Sequence, residues 1–161
     1  MKKILSLTMA LAMLGTALTG CGSKDAATKT PAENTQQEQS QTEKALALIN
    51  TFATGDTDTA RSLLADGYIQ HNLAYGTDAD TFIGSVGYLA SADVKTTVNN
   101  IRAFEDGDKV FLQTIYNFAG AGEQVAFDIF RFDEDGKIAE HWDVMETIAD
   151  QSTWQNQNGK F

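Results

Sequence analysis

The spacing of the apolar residues changes once along this chain, close to Ala92. Before that point apolar residues recur every three or four positions, as at Leu46, Ile49 and Phe52, and this spacing places them on one face of a helix. After it apolar and polar residues alternate, which is the two-residue period of a strand. Helices followed by strands predict an α+β domain in which the helices pack on one face of a curved antiparallel sheet.

Three helices are expected in the first part of this domain. Their predicted positions are residues 43–52, residues 58–65 after the break at Gly55-Asp56, and a third helix that is capped by Asp78 or Asp80 and carries Phe82, Ile83, Val86 and Leu89. Gly67 is expected to end the second helix. Residues 68–72 are then a short extended or looped piece.

Four strands are expected after the helices. They cover residues 94–104, 109–119, 125–132 and 137–145. The first pair is joined through Asp106-Gly107 and the second through Asp135-Gly136, and Asp-Gly is a strong hairpin signal. The tail, residues 151–161, is polar and is expected to be coil or a last edge strand.

The last hairpin brings three polar residues together. A two-residue turn at Asp135-Gly136 would pair Phe130 with His141 and Asp128 with Asp143, whereas a four-residue loop would shift the pairing by two. Because strand faces alternate, Asp128, His141 and Asp143 share one face in either register. Two carboxylates and an imidazole that are removed from water compete for protons, as a general acid/base requires near neutral pH.

The other face of the same hairpin offers an alternative. It is the more apolar of the two and carries Val125, Phe127, Ile129, Ile138, Trp142 and Val144. Were that face the core, the three polar residues would be ordinary solvated side chains. The face of Asp128 also carries apolar residues, among them Phe130 and Met145, so both faces favour burial. Helices on one face and a second subunit on the other would satisfy both, which predicts a homodimer through the sheet.

The N-terminus has the pattern of a bacterial lipoprotein signal. Lys2 and Lys3 precede an apolar stretch over residues 4–18, and Leu18-Thr19-Gly20 leads into Cys21, the only cysteine. We therefore expect residues 1–20 to be a signal peptide and Cys21 to carry the lipid. The protein would lie in the bacterial cell envelope, outside the cytoplasmic membrane and anchored to it by that lipid, without disulfides.

Residues 21–42 are predicted to be the lipidated cysteine and a flexible tether, because they contain no apolar side chain large enough to support folding. Residues 43–161 are one domain. Removal of residues 1–20 deletes two lysines and no acid, so the net charge falls from −10 to −12. A chain this acidic is repelled by phosphate backbones, which argues against a nucleic-acid partner.

Four segments of the domain resemble the SnoaL-like branch of the nuclear transport factor 2-like superfamily, and the resemblance covers nearly all of residues 43–161. They are Tyr-Ile-Gln-His-Asn at 68–72, Phe-Asp-Ile-Phe-Arg-Phe at 127–132, Asp-Gly-Lys-Ile-Ala-Glu-His-Trp-Asp-Val-Met at 135–145, and the closing Asn-Gly-Lys-Phe. The resemblance implies a cone in which helices close a pocket on a concave sheet, and in many members a dimer through the sheet. It also implies that Asp128, His141 and Asp143 face the pocket, with Tyr68, His71 and Asn72 at its rim.

The resemblance implies two classes of function for such a pocket. Some similar proteins are polyketide cyclases that perform an aldol condensation by acid/base chemistry without metal, others are isomerases or dehydratases, and many pockets of the superfamily bind ligands without catalysis.

We expect either acid/base catalysis or binding of a small ligand, with no cofactor. In the first case His141 is the acid or base, Asp128 and Asp143 share its proton, and His71 or Tyr68 polarises a carbonyl. In the second case the aromatic walls of the pocket are Phe82, Tyr88, Tyr116 and Phe130. A third reading is a metal site made of His71, His141 and one of the two aspartates.

Overall fold

A computed structural model describes residues 39–161. The predicted signal peptide, the predicted lipidation site at Cys21 and most of the predicted tether lie outside these residues. Within them, no helix combines the length and apolar character that a membrane span requires.

Three helices form the first part of the domain, and each begins at a side-chain cap. They are α1 (Gln41–Thr54), α2 (Thr57–Leu63) and α3 (Ala79–Ala90), with the caps Ser40, Asp56 and Asp78. Each cap accepts a hydrogen bond from a backbone N–H of the first turn, which otherwise has no partner. The first helix thus begins two residues before its predicted start, and Asp78 rather than Asp80 caps the third.

Five strands form one sheet in the order β1-β5-β4-β3-β2. The strands are β1 (Leu64–Gln70), β2 (Thr97–Asp106), β3 (Lys109–Asn117), β4 (Gln124–Phe132) and β5 (Ile138–Thr147). The last four pair antiparallel as a meander, as predicted. The first strand is different because it pairs with β5 in parallel. The tail forms a 3₁₀ turn at Gln151–Thr153 and is otherwise coil.

The predicted role of Gly67 is wrong, because this glycine lies inside β1 and does not end a helix. The second helix ends earlier, where the N–H of Leu64 bonds to the carbonyl of Ala60. Leu64 is then aligned with Ile138 of β5, and both side chains are buried. Pairing with a strand that is distant in sequence therefore extends residues that local signals assigned to a helix end.

The register of the β4–β5 hairpin is as predicted, although its turn is not. Asp128 lies opposite Asp143 and Phe130 opposite His141. The connection is longer than two residues, since the N–H of Asp133 bonds to the carbonyl of Lys137. A bulge next to Phe132 offsets this longer loop and restores the two-residue-turn pairing.

The helices cover one face of the sheet, here called the inner face, on which Phe130 is completely buried. The opposite, outer face is not the domain core, since Phe127 is 54% and Val144 is 71% exposed. The C-terminal tail reaches one part of the sheet, where the side chain of Gln113 donates to the carbonyl of Lys160 at 2.8 Å.

Candidate active site

Three polar side chains of the last hairpin meet on the inner face, between the sheet and the helices. Asp128 of β4 is 4% exposed and His141 of β5 is 5% exposed, so both are removed from water, while Asp143 is partly buried. Asp128 faces Asp143 directly across the two strands. The predicted clustering is therefore present, although its chemical role stays a prediction.

Asp128 is held by two hydrogen bonds. The Nε2 atom of His141 lies 3.2 Å from Oδ1, and the hydroxyl of Tyr116 donates to Oδ2 at 3.0 Å. The ring of Phe130 stacks on the imidazole of His141, with a centroid distance of 4.4 Å and an interplanar angle of 8°. A buried carboxylate is stable only when it is paired in this way, and the stacked ring fixes the plane of the imidazole.

Residues from β1 and the loop after it complete the cluster. The Nε2 atom of Gln70 lies 3.0 Å from Nδ1 of His141. The Nδ2 atom of Asn72 donates to both carboxylate oxygens of Asp143, at 2.7 and 2.9 Å. These contacts follow from the parallel pairing that aligns Gln70 with His141.

Two buried tyrosines border the cluster, and both keep their protons. Burial raises the pKa of the Tyr116 phenol well above its usual range, and the nearby Asp128 carboxylate raises that pKa further. Burial also raises the pKa of Tyr68, with smaller contributions from Asp143 and Asp128. Each phenol therefore remains neutral at physiological pH and can donate a hydrogen bond.

The cluster forms the polar end of an otherwise apolar cavity of about 50 Å³, enough for a few water molecules or a small ligand group. Helices α1 and α3 supply Ile49, Phe52, Phe82 and Leu89 to the apolar wall. The lining residues are Ile49, Phe52, Gln70, Tyr75, Gly76, Phe82, Ser85, Leu89, Tyr116, Phe118, Asp128, Phe130, His141, Asp143 and Met145. A pocket of this kind, apolar with a few convergent polar groups, is typical of small-molecule sites.

The expected position of His71 at the pocket is wrong. Its ring stacks on Trp142 at 4.4 Å, and its Nε2 atom lies 3.0 Å from Glu140. Because Gln70 aligns with His141 on the inner face, the next residue points to the outer face. There the hydrogen bond from His71, and next the one from Arg131, lower the pKa of the Glu140 carboxyl.

The aromatic wall is partly as expected. Phe82, Tyr116 and Phe130 line the cavity, whereas Tyr88 lies on the surface with 76% exposure and is not among the lining residues. Tyr88 follows Gly87 on the solvent side of α3, so its expected place in the wall is wrong. Tyr68 is buried against the edge of Phe82 and accepts a hydrogen bond from Gln70, next to the cavity.

A metal set with two histidines is also ruled out, because His71 and His141 lie on opposite faces of the sheet. Asp128, His141 and Asp143 each bring one possible ligand atom within 4.8 Å of the others. All three already have hydrogen-bond partners, and a metal could bind a ring nitrogen of His141 only by displacing Gln70 or Asp128 from it. The cluster thus resembles a hydrogen-bonded network more than an open set of ligands.

Gln70 and Tyr75 are site residues that the sequence pattern does not single out. Gln70 stands within the Tyr-Ile-Gln-His-Asn motif, among side chains that are more often catalytic. Period-two alternation through residues 68–72, with Tyr68 and Gln70 on one face, was the signal that could have found it.

Comparison with solved structures supports the fold. The structure matches an NTF2-like protein of unknown function from Cytophaga hutchinsonii with a TM-score of 0.59 and 14% identity, over 69% of this chain and 94% of that chain. It matches an LEH-like epoxide hydrolase from M. tuberculosis with a TM-score of 0.57 and 17% identity, over 66% and 82% of the two chains. It also matches IdmH from Streptomyces antibioticus, whose proposed activity is that of a polyketide cyclase, with a TM-score of 0.55 and 18% identity, over 67% and 93%.

At such low identity these likenesses establish the architecture and leave the chemistry open. A search of curated protein sequences gives no match. The model of the SnoaL-like domain family matches residues 45–141, which include most of α1, all of α3, Asp128 and His141. The family match, the helix-covered sheet and the pocket beneath the helices agree with one another. The chain belongs to the SnoaL-like domain family.

Proposed function

We propose that the cavity binds a small, uncharged, partly apolar carbonyl compound and performs acid/base chemistry on it, of the aldol-condensation, isomerase or dehydratase type. The observation that carries this proposal is the buried pair of Asp128 and His141, faced by Asp143, at the polar end of an apolar cavity. Groups of this kind in a cleft are arranged to bind and release protons near neutral pH.

The hydrogen bonds favour Asp143 as the group that takes a proton from the ligand. Both ring nitrogens of His141 have partners inside the protein. Both oxygens of Asp128 accept hydrogen bonds, from His141 and Tyr116. Asp143 lines the cavity, is less buried, and is held by one amide only. Since each carboxylate oxygen has two lone pairs, Asp143 keeps free acceptor positions.

A hydroxyl could polarise the carbonyl while Asp143 removes the neighbouring proton. His71 does not reach the cavity, so it does not serve this purpose. Tyr75 lines the cavity and is the residue to which we assign the role. A hydrogen bond from its phenol would stabilise the negative charge that develops on the carbonyl oxygen.

The charges around the cavity restrict the ligand class. Two aspartates face the space, and no lysine or arginine is among the lining residues. A carboxylate or phosphate group would meet two like charges without a cation to offset them, at a cost that rises in a site removed from water. An anionic group at the reacting end of the ligand is therefore excluded.

Hydrogen–deuterium exchange tests the chemistry without knowledge of the natural substrate. The probe is cyclohexanone in D₂O, with deuterium uptake next to the carbonyl followed by NMR. We expect catalysed exchange above the buffer rate and a loss of about 100-fold or more in Asp143→Asn, because general base catalysis contributes roughly 10²–10⁴-fold. Glu146→Gln, which removes an exposed carboxylate of the same strand, is the matched control and should exchange normally.

The second candidate is a binding module without catalysis, which the predominantly apolar wall of the cavity favours. The same experiment separates the two. Saturable NMR shifts of the residues around Phe130, with exchange at the buffer rate and no effect of Asp143→Asn, would favour binding and count against catalysis.

We also propose that the protein is a lipoprotein of the bacterial cell envelope, held at the membrane by lipid on Cys21. The support is the sequence of residues 1–21, with its two lysines, apolar stretch and single cysteine. The domain would then act outside the cytoplasmic membrane, on compounds that reach the cell surface.

We further propose a homodimer through the outer face of the sheet. Phe104, Phe127 and Val144 are all more than half exposed there, on three different strands. Apolar side chains spread across one sheet face are characteristic of a protein interface. Covering that face with a second copy would bury them.

A further inference from the structure

Gln70 makes hydrogen bonds with three different groups at the polar end of the cavity. Its Oε1 atom accepts from the backbone N–H of Asn72 at 3.0 Å. Its Nε2 atom lies 3.0 Å from Nδ1 of His141 and 3.2 Å from the hydroxyl of Tyr68. None of these contacts is required by the β1–β5 pairing itself, which uses backbone atoms.

The backbone N–H of Asn72 determines the orientation of the Gln70 amide. A backbone N–H can only donate, so the amide oxygen must face it. The amide nitrogen must then face His141. Turning the amide over would place two donors against each other at Asn72.

This orientation determines where His141 carries its proton. The amide nitrogen of Gln70 can only donate, so Nδ1 of His141 has to be unprotonated to accept from it. On the other side, Nε2 of His141 faces Oδ1 of Asp128, and an ionised carboxylate can only accept. Both contacts are satisfied together by one form, the neutral imidazole with its proton on Nε2.

We propose that Gln70 is a positioning residue that holds His141 as this neutral tautomer. The role of the tautomer in catalysis rests on the proposed function, whereas the tautomer itself does not. A doubly protonated His141 would direct an N–H of its ring at the N–H of Gln70 and lose that hydrogen bond.

The other groups around His141 act in the opposite direction. Asp128 and Asp143 are the acidic groups that face it, and nearby carboxylates favour the imidazolium cation. Tyr68 and Tyr116 are neutral neighbours, and the lining residues from α1 and α3 are uncharged. Gln70 is the neighbour whose hydrogen bond is lost when His141 is doubly protonated. A neutral imidazole leaves the negative charge of Asp143 without a cation beside it.

The ¹⁵N spectrum of the imidazole nitrogens tests the tautomer. The chain contains two histidines only, so ¹⁵N-histidine labelling gives two rings, and His71→Asn identifies the signals of His141. At pH 7 we expect one protonated nitrogen, Nε2, and one unprotonated nitrogen, Nδ1. A proton on Nδ1 in the wild-type protein would overturn the proposal.

The variant Gln70→Glu tests whether the Gln70 amide determines the tautomer of His141. The carboxylate can still accept from Asn72, and its second oxygen faces both the Tyr68 hydroxyl and Nδ1 of His141, where it can accept but no longer donate. We expect both ring nitrogens to be protonated at pH 7, with the proton affinity of His141 increased at least about tenfold by the added charge. Gln113→Glu, a buried glutamine on the outer face, should leave the His141 spectrum unchanged.

The outcomes are distinguishable from failure of the proposed function. An unprotonated Nδ1 in wild type that persists in Gln70→Glu would overturn the positioning role. If the variant does not fold, the position of the His141 proton in the wild-type protein alone tests the proposal. Loss of cyclohexanone exchange with the expected tautomer present would overturn the catalytic proposal and leave this one standing.

Discussion

The two buried tyrosines predict a steep loss of stability in alkali. In the unfolded chain a phenol ionises around its ordinary pKa of 10.0, whereas burial raises the pKa of both Tyr68 and Tyr116 in the folded protein. Below pH 10 the phenols are protonated in both states, so their contribution is fully present. Above pH 10 the unfolded chain releases protons that the folded protein retains, so stability falls with rising pH.

Each phenol contributes a slope of about 1.4 kcal/mol per pH unit in that range. The two together give about 2.8 kcal/mol per unit, which is a large part of the roughly 5–15 kcal/mol by which a domain is stable. The assay is urea unfolding at pH 8, 10 and 11, in wild type and in Tyr68→Phe. We expect the variant to lose about half as much stability as wild type between pH 10 and 11.

The control is Tyr88→Phe, which removes an exposed phenol of α3 and should keep the full alkaline slope. Tyr116→Phe also removes the hydrogen bond to Asp128, so its stability at pH 8 should fall by about 2 kcal/mol as well. Equal slopes for wild type and Tyr68→Phe would refute the reasoning, because they would mean that the Tyr68 phenol is not protected in the folded protein.

Three further predictions concern other parts of the molecule. Gly55→Ala should lower the free energy of unfolding by about 2 kcal/mol in urea titration, because residue 55 has φ = +75° and a Cβ there would lie 2.5 Å from that of Ala90; an unchanged midpoint would show that the α1–α2 turn relaxes. Val144→Glu should convert a dimer to monomers in light scattering, and a wild type that is already monomeric would contradict the proposed interface. Cys21→Ala should move the protein from the membrane to the soluble fraction without changing its melting temperature, whereas retention in the membrane fraction would exclude the lipid as the anchor.

The sequence was most informative where the relevant contacts are local. The register of the β4–β5 hairpin could be predicted from the Asp135-Gly136 turn signal, and with it the common face of Asp128, His141 and Asp143. Even there the longer turn was missed, because a bulge next to Phe132 compensates for it. The predicted common face of the three residues is still correct, because a shift of the pairing by two residues leaves each side chain on the same face of the sheet.

Contacts between distant parts of the chain could not be predicted in the same way. Nothing local indicates that residues 64–70 run parallel to β5, since that pairing joins positions about 70 residues apart. Whether Gln70 or His71 enters the cavity depends on that pairing alone. The preference for His71 came from its chemistry and from the family resemblance, and neither gives the face of a strand.

The irregular pairing of β1 has a consequence for how this pocket can change. Between Leu64 and Ile69 the strand takes five steps while its partner, from Ile138 to Glu140, takes two. A strand segment that is not in regular register with its neighbour can gain or lose a residue at a low cost in free energy. Deletion of one residue there would shorten the irregular stretch and leave Gln70 aligned with His141. The start of β1 can therefore vary in length while the pocket keeps the same residues.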